Sequence, residues 1–102
     1  MIAKTRTVRS ESYRRWVASH PCFGCGLEGY SQCAHANGGG MGTKASDLDT
    51  FPLCAARPDD LGCHARFDLC VGMDKQTRRS LTISYIALMQ DKARKAGRKE
   101  FQ

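Results

Sequence analysis

Five of the six cysteines and two of the three histidines lie between Cys22 and Asp68. Thiolates and imidazoles are the ligands of zinc, and tetrahedral sites take four of them, commonly as two pairs. Cys22 and Cys25 form the first pair, spaced as in a metal knuckle, with Gly24 and Gly26 letting the backbone turn so that both sulfurs face one ion. Cys54 and Cys63 are the choice for the second pair, which requires the segment AARPDDLG to loop out between them. Cys33 and Cys70 remain, and either could replace a member of that second pair.

The histidines suggest a second kind of chemistry. His64 follows Cys63 directly, and adjacent residues on a helix point about 100° apart, so His64 faces away from a zinc that Cys63 grips. His64 and Asp68 are spaced i, i+4 and share one helical face, where they could hold a single cation. A plain surface hydrogen-bonded pair is the competing reading. His35 stands at the edge of a glycine-rich loop, and its competing role is that of an extra zinc ligand.

Several elements must position these groups. The first nine residues, with Lys4, Arg6 and Arg9, read as a flexible basic arm. Ser10 or Ser12 can cap a short helix with Tyr13, Trp16 and Val17 on its apolar face and Arg14 and Arg15 pointing away. His20-Pro21 ends that helix, because the residue before proline avoids the α region. Tyr30 to His35 reads as a strand, and Phe51 and Leu53 as the inward residues of another. Cys63 to Leu69 reads as a helix. Asp74 can cap a last helix over residues 75–96, where Leu81, Tyr85 and Leu88, widened by Ile86 and Met89, recur at helical spacing. KARKAGRKE then reads as a basic tail. The loop GGGMGTK lacks the G-x4-G-K-[ST] order of a P-loop, which excludes nucleotide triphosphate binding of that kind.

At 102 residues, with 16 Lys and Arg against 10 Asp and Glu, the chain reads as one small basic domain, residues 1–102. Such a domain buries a limited core, so a metal brace is physically useful. The excess charge favours a polyanion partner, most often nucleic acid. The start MIAKTRTVRSES has no apolar stretch of a secretory leader, and no window approaches the roughly 18 apolar residues of a membrane span. A cytoplasmic location is expected, where thiols stay reduced, so the cysteines point to metal rather than to disulfides.

The pattern AH…GGMGTK…DLDTFPLC…CHARFD, over residues 20–70, resembles the HNH (His-Me finger, ββα-metal) endonuclease superfamily. More narrowly it is similar to small phage and prophage recombination nucleases. That resemblance implies an α+β fold: a small ββα-metal core braced by structural zinc, flanked by N- and C-terminal helices. It implies that His35 is the general base, that His64 binds the catalytic divalent metal with Asp68 as second ligand, and that Cys22, Cys25, Cys54 and Cys63 hold the bracing zinc. An asparagine usually supports the hairpin loop in HNH proteins; Asp47 or Asp49 stands there instead. Ala34 occupies a position where many relatives place a metal ligand.

The function so implied is hydrolysis of DNA phosphodiester bonds with little sequence preference, in phage recombination or DNA processing. The setting would be a bacterial host cell, with host or phage recombination proteins as partners. Mg²⁺ or another divalent cation would neutralise the scissile phosphate. A neutral histidine, titrating near physiological pH, would take the proton of the attacking water. Lys44, Arg57 and Arg66 could hold phosphates without reading sequence, Lys44 foremost because it ends the loop beside His35. The competing classes are a non-catalytic zinc-bound DNA-binding or adaptor module, and a zinc-stapled protein-interaction domain that uses its C-terminal helix.

Overall fold

Residues 8–36 and 46–101 are described in the computed structural model. Their order is helix α1 (Glu11–Ala18), strands β1 (Ser31–His35) and β2 (Thr50–Cys54), helix α2 (Cys63–Asp68), helix α3 (Lys75–Lys95) and a 3-10 turn, Lys99–Phe101. Ser10 caps α1 by accepting from the Tyr13 amide, and Asp74 caps α3 by accepting from the Thr77 amide at 2.7 Å. Both caps satisfy amides that a helix start leaves without partners.

The strands pair antiparallel with His35 opposite Thr50 and Ser31 opposite Cys54. All five residues of β2 are buried, because α1, α2 and α3 all contact this strand. Alternation of inward and outward residues is therefore absent there, although Phe51 and Leu53 do face the core as expected. Pro52 removes one ladder donor, but its carbonyl accepts from the Phe23 amide at 2.9 Å and ties the cysteine knuckle to the sheet.

Two apolar clusters divide the interior. In the first, Phe51, Phe67 and Tyr85 form an aromatic triangle with centroid separations of 5.3–6.1 Å, which joins β2, α2 and α3. In the second, Tyr13 and Val17 of α1 pack on Met89 and Ala93 of α3. The apolar stripe of α3 thus splits: Leu81, Tyr85 and Ile86 serve the first cluster, and Met89 serves the second. Leu88 is 47% exposed and lies outside both, since the helix has rotated from one neighbour to the other by that point.

The two ends of the chain depart from the sequence-based expectation. Val8 and Arg9 do not belong to a free arm: the Val8 amide donates to Ser46 Oγ, the Val8 carbonyl accepts from the Asp47 amide, and Arg9 reaches Asp47. Residues 1–7 lie outside the described part. The basic tail is split: Lys92, Arg94, Lys95 and Lys99 are exposed, while Arg98 and Glu100 fold back on α1. Arg98 lies over the Tyr13 and Trp16 rings and pairs with Glu100, which accepts from Ser10 Oγ at 2.7 Å. Its arginine has aromatic faces and a carboxylate within reach, and composition alone could not reveal either.

No helix among the described residues is long and apolar enough to cross a membrane. Met89 is fully buried between α1 and α3. Met89→Ala should cost about 2–5 kcal/mol, read as a lower urea midpoint with an unchanged slope.

Candidate active site and metal centre

The four cysteines chosen from the sequence come together: the sulfurs of Cys22, Cys25, Cys54 and Cys63 all lie within 4.8 Å of one another. Among the described residues they form the only group of three or more such ligands. Cys25 and Cys54 Sγ are 3.8 Å apart. A tetrahedron with metal–sulfur bonds of about 2.3 Å has edges of about 3.8 Å, so the spacing fits an ion such as zinc.

Local backbone geometry makes this possible. A Cβ on Gly24 would stand 2.9 Å from Cys63 Sγ, so the first knuckle needs glycine there. Gly62, which precedes α2, has φ +86°, and a Cβ would meet the Ala55 carbonyl at 2.6 Å. Arg57 and Asp60 bridge the intervening segment into a tight loop, which is how eight residues separate two members of one cysteine group. Cys33 and Cys70 take no part in this group.

The thiols differ in acidity. Burial works against ionisation of Cys54, but the Cys63 amide and Arg57 outweigh it and bring this thiol down to about 6. Burial and the neighbouring thiols push Cys63 well above its ordinary value. One thiolate suppresses its neighbours, and a divalent cation would remove that repulsion.

His35 ends β1, where its Nε2 lies 2.8 Å from Asp47 Oδ1. Asp47 is fully buried, and also accepts from the Ser10 amide at 2.8 Å and from Arg14 at 2.6 Å. Burial raises its pKa, but the bonds from His35, Ser10 and Arg14 outweigh that and hold the carboxyl below its usual range. An ionised carboxylate only accepts, so Nε2 carries the proton and Nδ1 keeps its lone pair. Arg14 therefore turns toward the core, whereas Arg15 points out to Glu11.

Of the two aspartates proposed to support this histidine, Asp47 does so. Asp49 instead receives Gln90 of α3 at 3.3 Å, while its carbonyl accepts from the Ala36 amide. Burial raises the Asp49 pKa.

His64 Nδ1 lies 2.8 Å from Gln32 Oε1 of β1, and its Nε2 lies 3.7 Å from Asp68 Oδ2. Gln32 fixes the ring with Nδ1 protonated, which frees Nε2 for a ligand beside Asp68. His35 and Asp68 line one cleft of about 530 Å³, whose other wall carries Lys75, Arg78 and Arg79 of α3. Ala34 is buried in the first cluster with Phe67. Arg57 and Arg66 both pair with Asp60, at 2.9 and 2.7 Å, which offsets part of their charge. Lys44 lies outside the described residues.

A family model described as a protein of unknown function (DUF968) matches residues 1–76. The chain belongs to the DUF968 family. The matched span holds all four clustered cysteines, His35, His64 and Asp68. The chain is also similar to the uncharacterized protein YdfU of Escherichia coli (strain K12), at 40% identity over 63 residues. That similarity covers 59% of this chain and 18% of YdfU, so the chain spans less than a fifth of its relative. No solved structure matches the chain.

Sequence reasoning missed Gln32, Arg14 and the cationic wall of α3. Strand pairing, a helix-surface rotation and a cleft bring them in, and none leaves a local motif.

Two outcomes follow. Cys25 is exposed, so Cys25→Ser changes little packing; it should still lower bound metal from about one ion per chain by more than half in elemental analysis. Asp47→Asn should cost about 1.5–3 kcal/mol at pH 7 by losing charge-assisted bonds. Because the folded pKa of Asp47 is depressed, its contribution is full above the unfolded value of about 3.9. It fades as pH falls through the lower folded value, so wild-type and variant stabilities should converge in acid denaturation.

Proposed function

We propose that the chain is a metal-dependent DNA endonuclease of the HNH type, braced by a structural zinc on its four cysteines. The observation that carries this reading is the cleft onto which both His35, held by Asp47, and Asp68, paired with His64, open. The order of antiparallel β1 and β2 followed by α2, with His35 on the strand and His64 on the helix, suits a ββα-metal core.

Each residue has a defined task. His64 Nε2 and Asp68 Oδ2, 3.7 Å apart, suit one divalent cation after a small closing movement. Bound there, Mg²⁺ or a similar ion would supply charge neutralisation at the phosphate and at the departing 3′ oxygen. His35 Nδ1 accepts the proton of water as its oxygen bonds to phosphorus and the P–O3′ bond breaks. Asp47 holds the ring and stabilises the imidazolium, and its own charge is secured by Arg14 and Ser10. Such an enzyme would serve phage recombination or DNA processing inside a bacterial cell, beside host or phage recombination proteins.

A second reading draws on Ala34. With an apolar side chain at that position, a catalytic ion on α2 would have His64 and Asp68 as its side-chain ligands, a sparse set that suits a zinc-braced DNA-binding module without catalysis.

Nicking of supercoiled plasmid in Mg²⁺ or Mn²⁺ separates the two. Wild-type protein should nick, and His35→Ala should slow this by about 10²–10⁴ while zinc content and thermal midpoint stay unchanged. Binding without nicking in any divalent metal establishes the module reading instead.

A further inference from the structure

Most arginines of the described residues are matched by carboxylates: Arg9 and Arg14 by Asp47, Arg15 by Glu11, Arg57 and Arg66 by Asp60, Arg98 by Glu100. Arg78 and Arg79 are not. Arg78 donates to the Asp68 main-chain carbonyl at 2.9 Å, which fixes its guanidinium without pairing it with a carboxylate. With Lys75 they line the cleft that contains His35. Three cations in the first two turns of α3, with no acid in its first turn, also oppose the helix dipole. They lower the stability of the chain alone and raise the attraction of an anion in the cleft.

The same cleft is lined by apolar side chains. Phe67, Ile83 and Ile86 reach it, and Ile83 is 64% exposed, an unusual place for a bare isoleucine beside three cations. A phosphate alone has no use for an apolar floor. A strand whose bases are unstacked offers a phosphate and an apolar base face side by side, whereas a duplex keeps those faces covered. The volume of about 530 Å³ lies within the usual range for a small bound group.

We propose that this cleft holds one nucleotide unit of a single-stranded nucleic acid, its phosphate on Arg78, Arg79 and Lys75 and its base against Ile83, Ile86 and Phe67. The identity of the polyanion rests on the nuclease reading; the cationic and apolar walls do not. The strand so held passes His35, so the preferred substrate is unpaired DNA or the unpaired part of a branched one.

The test is anisotropy of a fluorescent single-stranded oligonucleotide and of its duplex, titrated with wild-type protein across a salt series, without added divalent metal. Single strand should bind more tightly than duplex. Lys75→Gln with Arg79→Gln should flatten the salt slope by about 1.4, at roughly 0.7 per phosphate contact, with no loss in thermal midpoint. Ile83→Ser should weaken single-strand binding about fivefold and leave duplex binding unchanged. Equal binding of both forms, or salt slopes and affinities indifferent to these changes in folded variants, overturns the cleft assignment even if the protein nicks plasmid. Binding that behaves as stated in a protein that cuts nothing upholds the cleft and overturns the nuclease reading.

Discussion

Four thiols crowded within 4.8 Å are the constraint around which the core is arranged. They come from three places: the turn after α1, the last residue of β2 and the first residue of α2. Their sulfurs cannot all be thiolates without a cation, and as thiols they would be mediocre packing. Yet the surrounding backbone favours negative sulfur. The Gly24 amide donates to Cys22 Sγ, the Cys63 amide to Cys54 Sγ, and Arg57 stands beside Cys54. A two-stranded sheet with a six-residue α2 has little cooperative strength of its own. A metal held by Cys54 and Cys63 together would fix the angle at which that short helix leaves the sheet.

The second organising contact is the Asp47 carboxylate. A buried charge is unfavourable unless fully matched. Here the matching groups are the Ser10 amide, Arg14 and His35, so satisfying the charge also aligns α1 with the end of β1. Local stability and orientation of the His35 ring are one requirement. The cysteine group sets the helix carrying His64 and Asp68, and the aspartate sets the strand carrying His35. The aromatic triangle of Phe51, Phe67 and Tyr85 holds these halves and α3 around one cleft.

Much of this was legible in the sequence because it is local. Caps, the C-x2-C knuckle and the presence of the strand ending at Cys54 each depend on a few neighbouring residues, and the structure has them as read, whereas the apolar stripe of α3 splits between two clusters and leaves Leu88 exposed. Cys54 and Cys63 were the preferred second pair, but Cys33 and Cys70 stayed open as replacements until the fold brought the sulfurs of Cys54 and Cys63 beside those of Cys22 and Cys25. Other features were hidden because they join distant parts. Arg14 reads as a solvent-facing helix residue until Asp47 lies opposite. Arg98 reads as a loose cation until Tyr13 and Trp16 appear beneath it. Ser10 looks like a cap and is one, but its hydroxyl also anchors Glu100 across 90 positions of sequence.

Charge illustrates the same distinction. The net charge of +6 suggests a polyanion partner but cannot say where it binds. The described ion pairs offset part of the charge of most arginines, including Arg57 and Arg66, which share the Asp60 carboxylate. What is left uncompensated at the cleft belongs to α3, a helix that sequence reading treats as a packing element. One face of α3 does pack, through Leu81, Tyr85 and Met89. Asp74 caps the helix from a separate position, and the cations Lys75, Arg78 and Arg79 at its start line the cleft, Arg78 tied to the Asp68 carbonyl. A single helix can thus close the core and supply a cationic wall, since its periodicity gives the two sets of residues different faces.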